Sequence, residues 1–197
     1  MNYFKVLIGA FKKLIHAELY SSPELAVALY RKKGVVIGEN TELYNTDIDN
    51  RRPFLVEIGN NTIITGSIIL THDASTKKAF GYTKLGKVII GDNVFIGMNC
   101  VILPNVTIGN NVIVGAGTIV SKNIPDNSVV VGSPMKIIGT LEDNIKKNTE
   151  KLNSSHIFEL NYNMSAEEKE DMKMKLSNSC IGYIPMHKEL ERLNNKI

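Results

Sequence analysis

Residues 90–120 read IGDNVFIGMNCVILPNVTIGNNVIVGAGTIV. Ile90, Ile96, Ile102, Ile108, Val114 and Val120 fall six apart, and Val94, Cys100, Val106, Val112, Thr118 and Ile124 occupy a second position on the same period. A period of six is neither the 3.6 of an amphipathic helix nor the 2 of a long strand. It predicts short strands joined by regular turns, each strand stacking on the one before and turning its apolar side inward.

A second period sets the cross-section. The corner IGDN begins at Ile90 and IGNN at Ile108, so the same motif returns after three hexads and the coil has three faces. Gly and Asn suit such corners because both accept left-handed backbone conformations at little cost. Further back the spacing loosens. IGEN at Ile37 and IGNN at Ile58 are one turn plus three apart, which predicts a bulge near NTDIDNRRPF (residues 45–54). Between Ile58 and Ile90 lies one turn plus fourteen, and the excess predicts a loop over residues 73–87 that leaves the coil after His72. Loops beyond about 12–15 residues are uncommon in compact folds and tend to be lids or binding loops.

The expected organisation is a helical N-terminal cap over 1–34, a β-coil over 35–140 containing the loop, and a helical extension over 141–197. Tyr3 to His16 has one apolar face, and SSPELAVALYRKKG offers Ser22 as a cap, Pro23 at the first helical position and Gly34 as a stop. In the extension, Ser165 and Glu168 have capping-box spacing at the head of a helix, and MHKELERLNNKI reads as another.

The chain of 197 residues carries a formal charge of only +3 with both signs interspersed, which argues against a nucleic-acid partner. Its two cysteines, Cys100 and Cys180, match no ligand or redox spacing, so a reducing, cytoplasmic setting is expected, and Cys100 reads as inward packing. The N-terminal apolar stretch is broken by Lys12 and Lys13, which supports neither a signal peptide nor a membrane span; association with a membrane surface is the less favoured reading of that helix. His72 is the only histidine within the coils, so a zinc site built from several coil histidines is not expected, nor any other metal.

With ILTHDAS, the run from IGDN to IPDN and VVVGSPMKIIG on the page, the chain from about Val36 to Gly139 resembles the hexapeptide-repeat acyltransferases, among them galactoside and maltose O-acetyltransferases and enzymes of polysaccharide clusters. The resemblance implies a mainly β fold, a left-handed parallel β-helix, assembled as a homotrimer with acetyl-coenzyme A in the groove between neighbours. It also implies a carbohydrate or nucleotide-sugar acceptor, with no metal. His72 stands where the family places its general base, and an imidazole, with an unperturbed pKa of about 6.5, suits removal of a hydroxyl proton near neutrality. Asp73 either orients that ring or begins the loop. Gly97 or Met98 would offer a backbone amide to the thioester oxygen. The family spacing puts Met98, Ala116, Ser121, Lys122 and Lys136 on the coenzyme, and Asn45, Asp47 and Phe95 near the acceptor, Phe95 standing where many relatives carry Trp. The leading expectation is O-acetylation of a sugar hydroxyl in capsule, exopolysaccharide or lipopolysaccharide synthesis. N-acetylation of a nucleotide-linked amino sugar and a non-enzymatic β-helix scaffold are the alternatives.

Overall fold

A computed structural model describes residues 22–179 and 181–186. The helices expected over Tyr3 to His16 and over the final residues from 187 lie outside the described residues. The chain divides into two compact units, Met1–Glu142 and Asp143–Ile197.

In the first unit, helix α1 (Pro23–Lys32) starts as its sequence requires: the Ser22 hydroxyl accepts from Leu25 N–H at 3.3 Å, and Pro23 occupies the first turn. Gly34 follows the helix with a φ of +95°, a left-handed exit. The coils come next. The first holds β1 (Val36–Ile37), β2 (Glu42–Tyr44) and β3 (Asp47–Ile48), and the second β4 (Val56–Ile58), β5 (Ile63–Thr65) and β6 (Ile68–Ile69). An excursion follows: β7 (His72–Asp73), the short helix α2 (Lys77–Phe80) and β8 (Lys84–Leu85). The third coil is β9 (Val88–Ile90), β10 (Phe95–Ile96) and β11 (Val101–Ile102), and the fourth β12 (Val106–Ile108), β13 (Ile113–Val114) and β14 (Ile119–Val120). The coil ends at β15 (Ser128–Val131) and β16 (Lys136–Thr140), which folds back antiparallel on it.

Successive strands join three parallel sheets in turn: β1-β4-β9-β12, β2-β5-β10-β13-β15 and β3-β6-β11-β14. The coil is therefore three-faced, as the eighteen-residue repeat requires. Register aligns the inward residues, so Ile58 lies on Ile90 and Ile90 on Ile108, while Ile64, Ile96 and Val114 stack on the second face. All six residues of the first sequence period and all six of the second are buried. Removing this apolar surface from water is the main stabilising term, at about 25 cal/mol per Å².

The corner residues divide the labour more sharply than their types alone suggest. At the corner between the first and second sheets the left-handed positions are Asn40, Asn61, Asn93, Asn111 and Asn127, and their side-chain amides hydrogen-bond in series up the prism at 3.1–3.3 Å. The preceding glycines do different work. A Cβ on Gly38 or Gly91 would lie 2.6 or 2.8 Å from a carbonyl carbon of the next coil, so glycine is needed there for close approach.

The second unit contains α3 (Leu141–Asn153), whose first two residues belong to the coil unit, α4 (Ala166–Ser179), and the parallel pair β17 (His156–Ile157) and β18 (Gly182–Tyr183). The capping box forms at α4: Ser165 N–H donates to the Glu168 carboxylate at 2.6 Å and Glu168 N–H to the Ser165 hydroxyl at 3.2 Å. No described helix is long and apolar enough to cross a membrane.

Candidate active site

Both insertions into the hexad period fall at one corner of the prism, where the chain leaves the third sheet for the first. In the first coil the excess residues follow β3 and form a 3-10 turn at Pro53–Leu55; in the second they follow β6 and form the excursion of β7, α2 and β8. Ile48 and Ile69 are in register, so the two departures lie one above the other. Asp49 leaves the lower coil, and His72 leaves the upper.

These residues meet. His72 Nδ1 hydrogen-bonds Asp49 Oδ2, with the Asp49 side chain 3% exposed and the ring 29% exposed. Asp49 is anchored by its own N–H on Ile69 O at 2.9 Å and accepts from Thr71 Oγ1 at 2.6 Å, Thr71 N–H at 3.2 Å and Arg51 N–H at 3.0 Å. Burial by itself would raise the Asp49 carboxyl. The hydrogen bonds from Thr71, His72 and Arg51 outweigh it and hold the carboxyl well below the usual carboxylate range. An ionised Asp49 accepting from the ring fixes the proton on Nδ1 and leaves the Nε2 lone pair able to accept one.

Asp73 does not orient the ring. Its carboxylate accepts Ser75 N–H at 2.8 Å and faces Lys84 Nζ at 3.4 Å, and the Ser75 contacts, then Lys84, lower its pKa. It begins the excursion as an Asx turn. Antiparallel pairing of His72 with Leu85 closes that excursion at its base, and Gly86 N–H returns to Thr71 O at 3.0 Å.

Asn45, Phe95, Gly97, Met98 and Ala116 collect at a different corner, between the second and third sheets. A groove of about 530 Å³ there is lined by Tyr44, Asn45, Thr65, Gly66, Phe95, Gly97, Met98 and Ala116. It exists because the first two coils are one residue shorter at this corner: Ile64 and Ile69 are five apart, Ile96 and Ile102 six. Met98, in the longer third coil, overhangs Gly66, whose Cβ would sit 3.5 Å from the Met98 methyl. Of the two amides considered for the thioester oxygen, Gly97 N–H is committed to Val114 O at 2.8 Å. Asp47 is exposed on β3 and does not line the groove. Ser121 and Lys122 are exposed after β14, at the same kind of corner as His72 but two coils later, and Lys136 is exposed on β16. Cys100 is buried and directed at Gly115 O at 3.2 Å; burial pushes its thiol up, as its packing role requires.

His72 and the groove thus occupy opposite edges of the third sheet, on the order of 15 Å apart at a strand rise of about 3.3 Å per residue. Among the described residues no group of three or more His, Cys, Asp or Glu side chains stands close enough to hold a metal ion.

A three-sheet parallel coil built on a six-residue repeat, with a histidine where its longest excursion begins, defines the class as hexapeptide-repeat proteins. The family model described as bacterial transferase hexapeptide (six repeats) matches residues 87–122. Protein CapG of Staphylococcus aureus is 41% identical over 140 residues, covering 68% of this chain and 80% of CapG. The Bacillus subtilis protein named "Putative acetyltransferase YvoF" is 42% identical over 102 residues, 50% of this chain and 57% of YvoF. A hexapeptide-repeat acetyltransferase of Vibrio cholerae, VCA0836, solved with acetyl-coenzyme A, shares 29% identity over 55% of this chain and 61% of that one, with a TM-score of 0.49. The chain belongs to the hexapeptide-repeat transferase family and is an acetyltransferase.

Proposed function

We propose that the protein transfers the acetyl group of acetyl-coenzyme A to a sugar hydroxyl, with His72 as general base and Asp49 as the group that orients it. The observation that carries this reading is the Asp49–His72 hydrogen bond at the stacked breaks of the coil. The acceptor hydroxyl gives its proton to Nε2 as its oxygen attacks the thioester carbon, and Met98 N–H, the amide not committed to the coil ladder, donates to the oxygen that gains charge. Collapse breaks the carbon–sulfur bond, and the imidazolium, stabilised by Asp49, returns its proton to the departing thiolate. No covalent enzyme intermediate is needed.

The separation of His72 from the groove supports assembly as a homotrimer of left-handed prisms, in which the groove of one protomer, with Met98 and Ala116, faces His72 of the next. In this arrangement Phe95 and Asn45 flank the acceptor. Ser121, Lys122 and Lys136 are the proposed outer contacts of the coenzyme, the two lysines pairing with phosphate. The similarity to CapG supports a role in capsule synthesis, with the reaction taking place in the cytoplasm.

One observation favours the second reading, a nucleotide-linked sugar. Arg51, exposed, and Arg52, half-buried, lie two and three residues after Asp49 and form no ion pair among the described residues, so a diphosphate beside the reacting sugar would find charge partners there. The deciding experiment incubates the protein with labelled acetyl-coenzyme A and panels of free sugars, amino sugars and nucleotide sugars. Transfer to hydroxyls of free sugars or glycans supports the first reading, and transfer only to nucleotide-linked amines the second. Binding without transfer to any acceptor would sink both.

A further inference from the structure

Asp49 sits at the end of β3, which among the described residues is the outermost strand of the third sheet, with the sheet on one side only. Within β3 the N–H groups of Asp47 and Asp49 point to β6, bonding Ser67 O and Ile69 O at 2.9 Å. The N–H of Ile48 and the carbonyl of Thr46 point the other way, where no strand follows among the described residues. An exposed strand edge is free to fray, and a frayed β3 would not hold a carboxylate under a histidine.

Helix α1 covers that edge with one side chain. Tyr30, 7% exposed, accepts from Ile48 N–H at 3.1 Å and donates its hydroxyl to Thr46 O at 3.2 Å, so a single phenol supplies both bonds of the missing strand. The helix also grips the far side of Asp49. Lys33, one turn on, donates to Asn50 Oδ1 at 2.9 Å and lies 5.1 Å from the centre of the Tyr30 ring. The residues immediately before and after Asp49 are thus both tied to α1.

We infer that Tyr30, seconded by Lys33, is a positioning residue for acetyl transfer: it locks the strand edge that places Asp49 against His72. The claim rests on His72 being the base. Without the phenol, Ile48 N–H and Thr46 O lose buried partners, the Asp49 carboxylate drifts, and the Nδ1 proton is held less firmly. The imidazolium that forms during transfer then loses part of its stabilisation.

The test is Tyr30→Phe in the full chain. Turnover should fall roughly tenfold or more, since small displacements of a catalytic group are costly, while KM for acetyl-coenzyme A stays put. The acid limb of the kcat profile should move to lower pH. The downfield proton resonance of the His72 Nδ1–H, assigned by its absence in His72→Asn, should weaken or vanish. A purely structural tyrosine would lower the melting temperature and move neither the acid limb nor the resonance; a folded Tyr30→Phe with both unchanged overturns the inference. Should Tyr30→Phe fail to fold, Lys33→Met, a change at the surface, must show the same displacements in smaller measure or the inference falls. If His72→Asn keeps its turnover, the base assignment fails and the catalytic role of Tyr30 falls with it, while the resonance still reports separately whether the phenol holds Asp49 against His72.

Discussion

Asp49 and His72 lie 23 residues apart in sequence and are joined side chain to side chain, the buried carboxylate beneath the half-exposed ring. The contact exists because two interruptions of the hexad period leave the prism at the same corner of consecutive coils. What each interruption contributes is chemistry: a fixed negative charge from the lower one, a titratable ring from the upper.

His72→Asn keeps a hydrogen-bonding side chain at the corner and removes the base. Turnover is expected to fall by about 10²–10⁴-fold, the usual range for loss of general-base catalysis. Acetyl-coenzyme A affinity, measured by calorimetry, is expected to stay within about twofold, since the proposed coenzyme contacts lie on later coils. Near-normal turnover at saturating acceptor would remove His72 from the mechanism.

Asp49→Asn tests the carboxylate through pH as well as rate. The folded protein holds this carboxyl below the usual range, whereas the unfolded chain binds its proton near pH 3.9. The unfolded state therefore takes up the proton first on acidification. The stabilisation is fully present above about pH 5 and is lost as pH falls toward the depressed native value. Denaturant midpoints measured from pH 6 to pH 3 should fall less steeply in Asp49→Asn than in the parent. Parallel slopes would mean the carboxylate carries no such linkage.

Separation of His72 from the groove predicts complementation between two inactive variants. His72→Asn has an intact groove, and Ala116→Trp fills the groove while leaving His72 intact. Refolding a mixture should restore activity, because some interfaces then pair an intact histidine with an intact groove. Activity no greater than that of either variant alone would place both elements in the same protomer's site.

Replacing residues 75–82 with a short Gly-Ser link leaves β7, β8 and the Gly86 return in place. The coil should keep its melting temperature within a few degrees, because its strands stack through inward residues that the excursion does not touch. Acceptor KM should rise. Unchanged acceptor kinetics would make the excursion dispensable to the reaction.

Ile96→Ala removes a fully buried side chain between Ile64 and Val114. A loss of about 2–5 kcal/mol is expected for truncation at such a site, read from denaturant unfolding. A loss below 1 kcal/mol would show that the prism core relaxes to fill the gap.

The sequence by itself determined the coil. A strict six-residue spacing of aliphatics can bury its apolar side only by stacking short strands, and the eighteen-residue return of the Gly-Asp/Asn-Asn corner sets three faces. It also marked His72, the histidine at the point where that period stops. Asp49 escaped it, although the irregular spacing between Ile37 and Ile58 was visible. A count of residues says that a coil is interrupted without saying at which of three corners, and here a one-residue shortening at one corner partly hid the excess at another. Asn45 and Asp47 attracted notice instead, and only the first of them lines the groove. Asp73 was the nearest carboxylate in sequence and bonds elsewhere, because the strand direction at β7 turns it toward Ser75 and Lys84. The tertiary structure decided the partner of His72 and the separation of ring from groove. Both depend on which residues stack between coils, a relation of register across 21 or more positions that hydrophobic spacing constrains only for the inward-facing side chains.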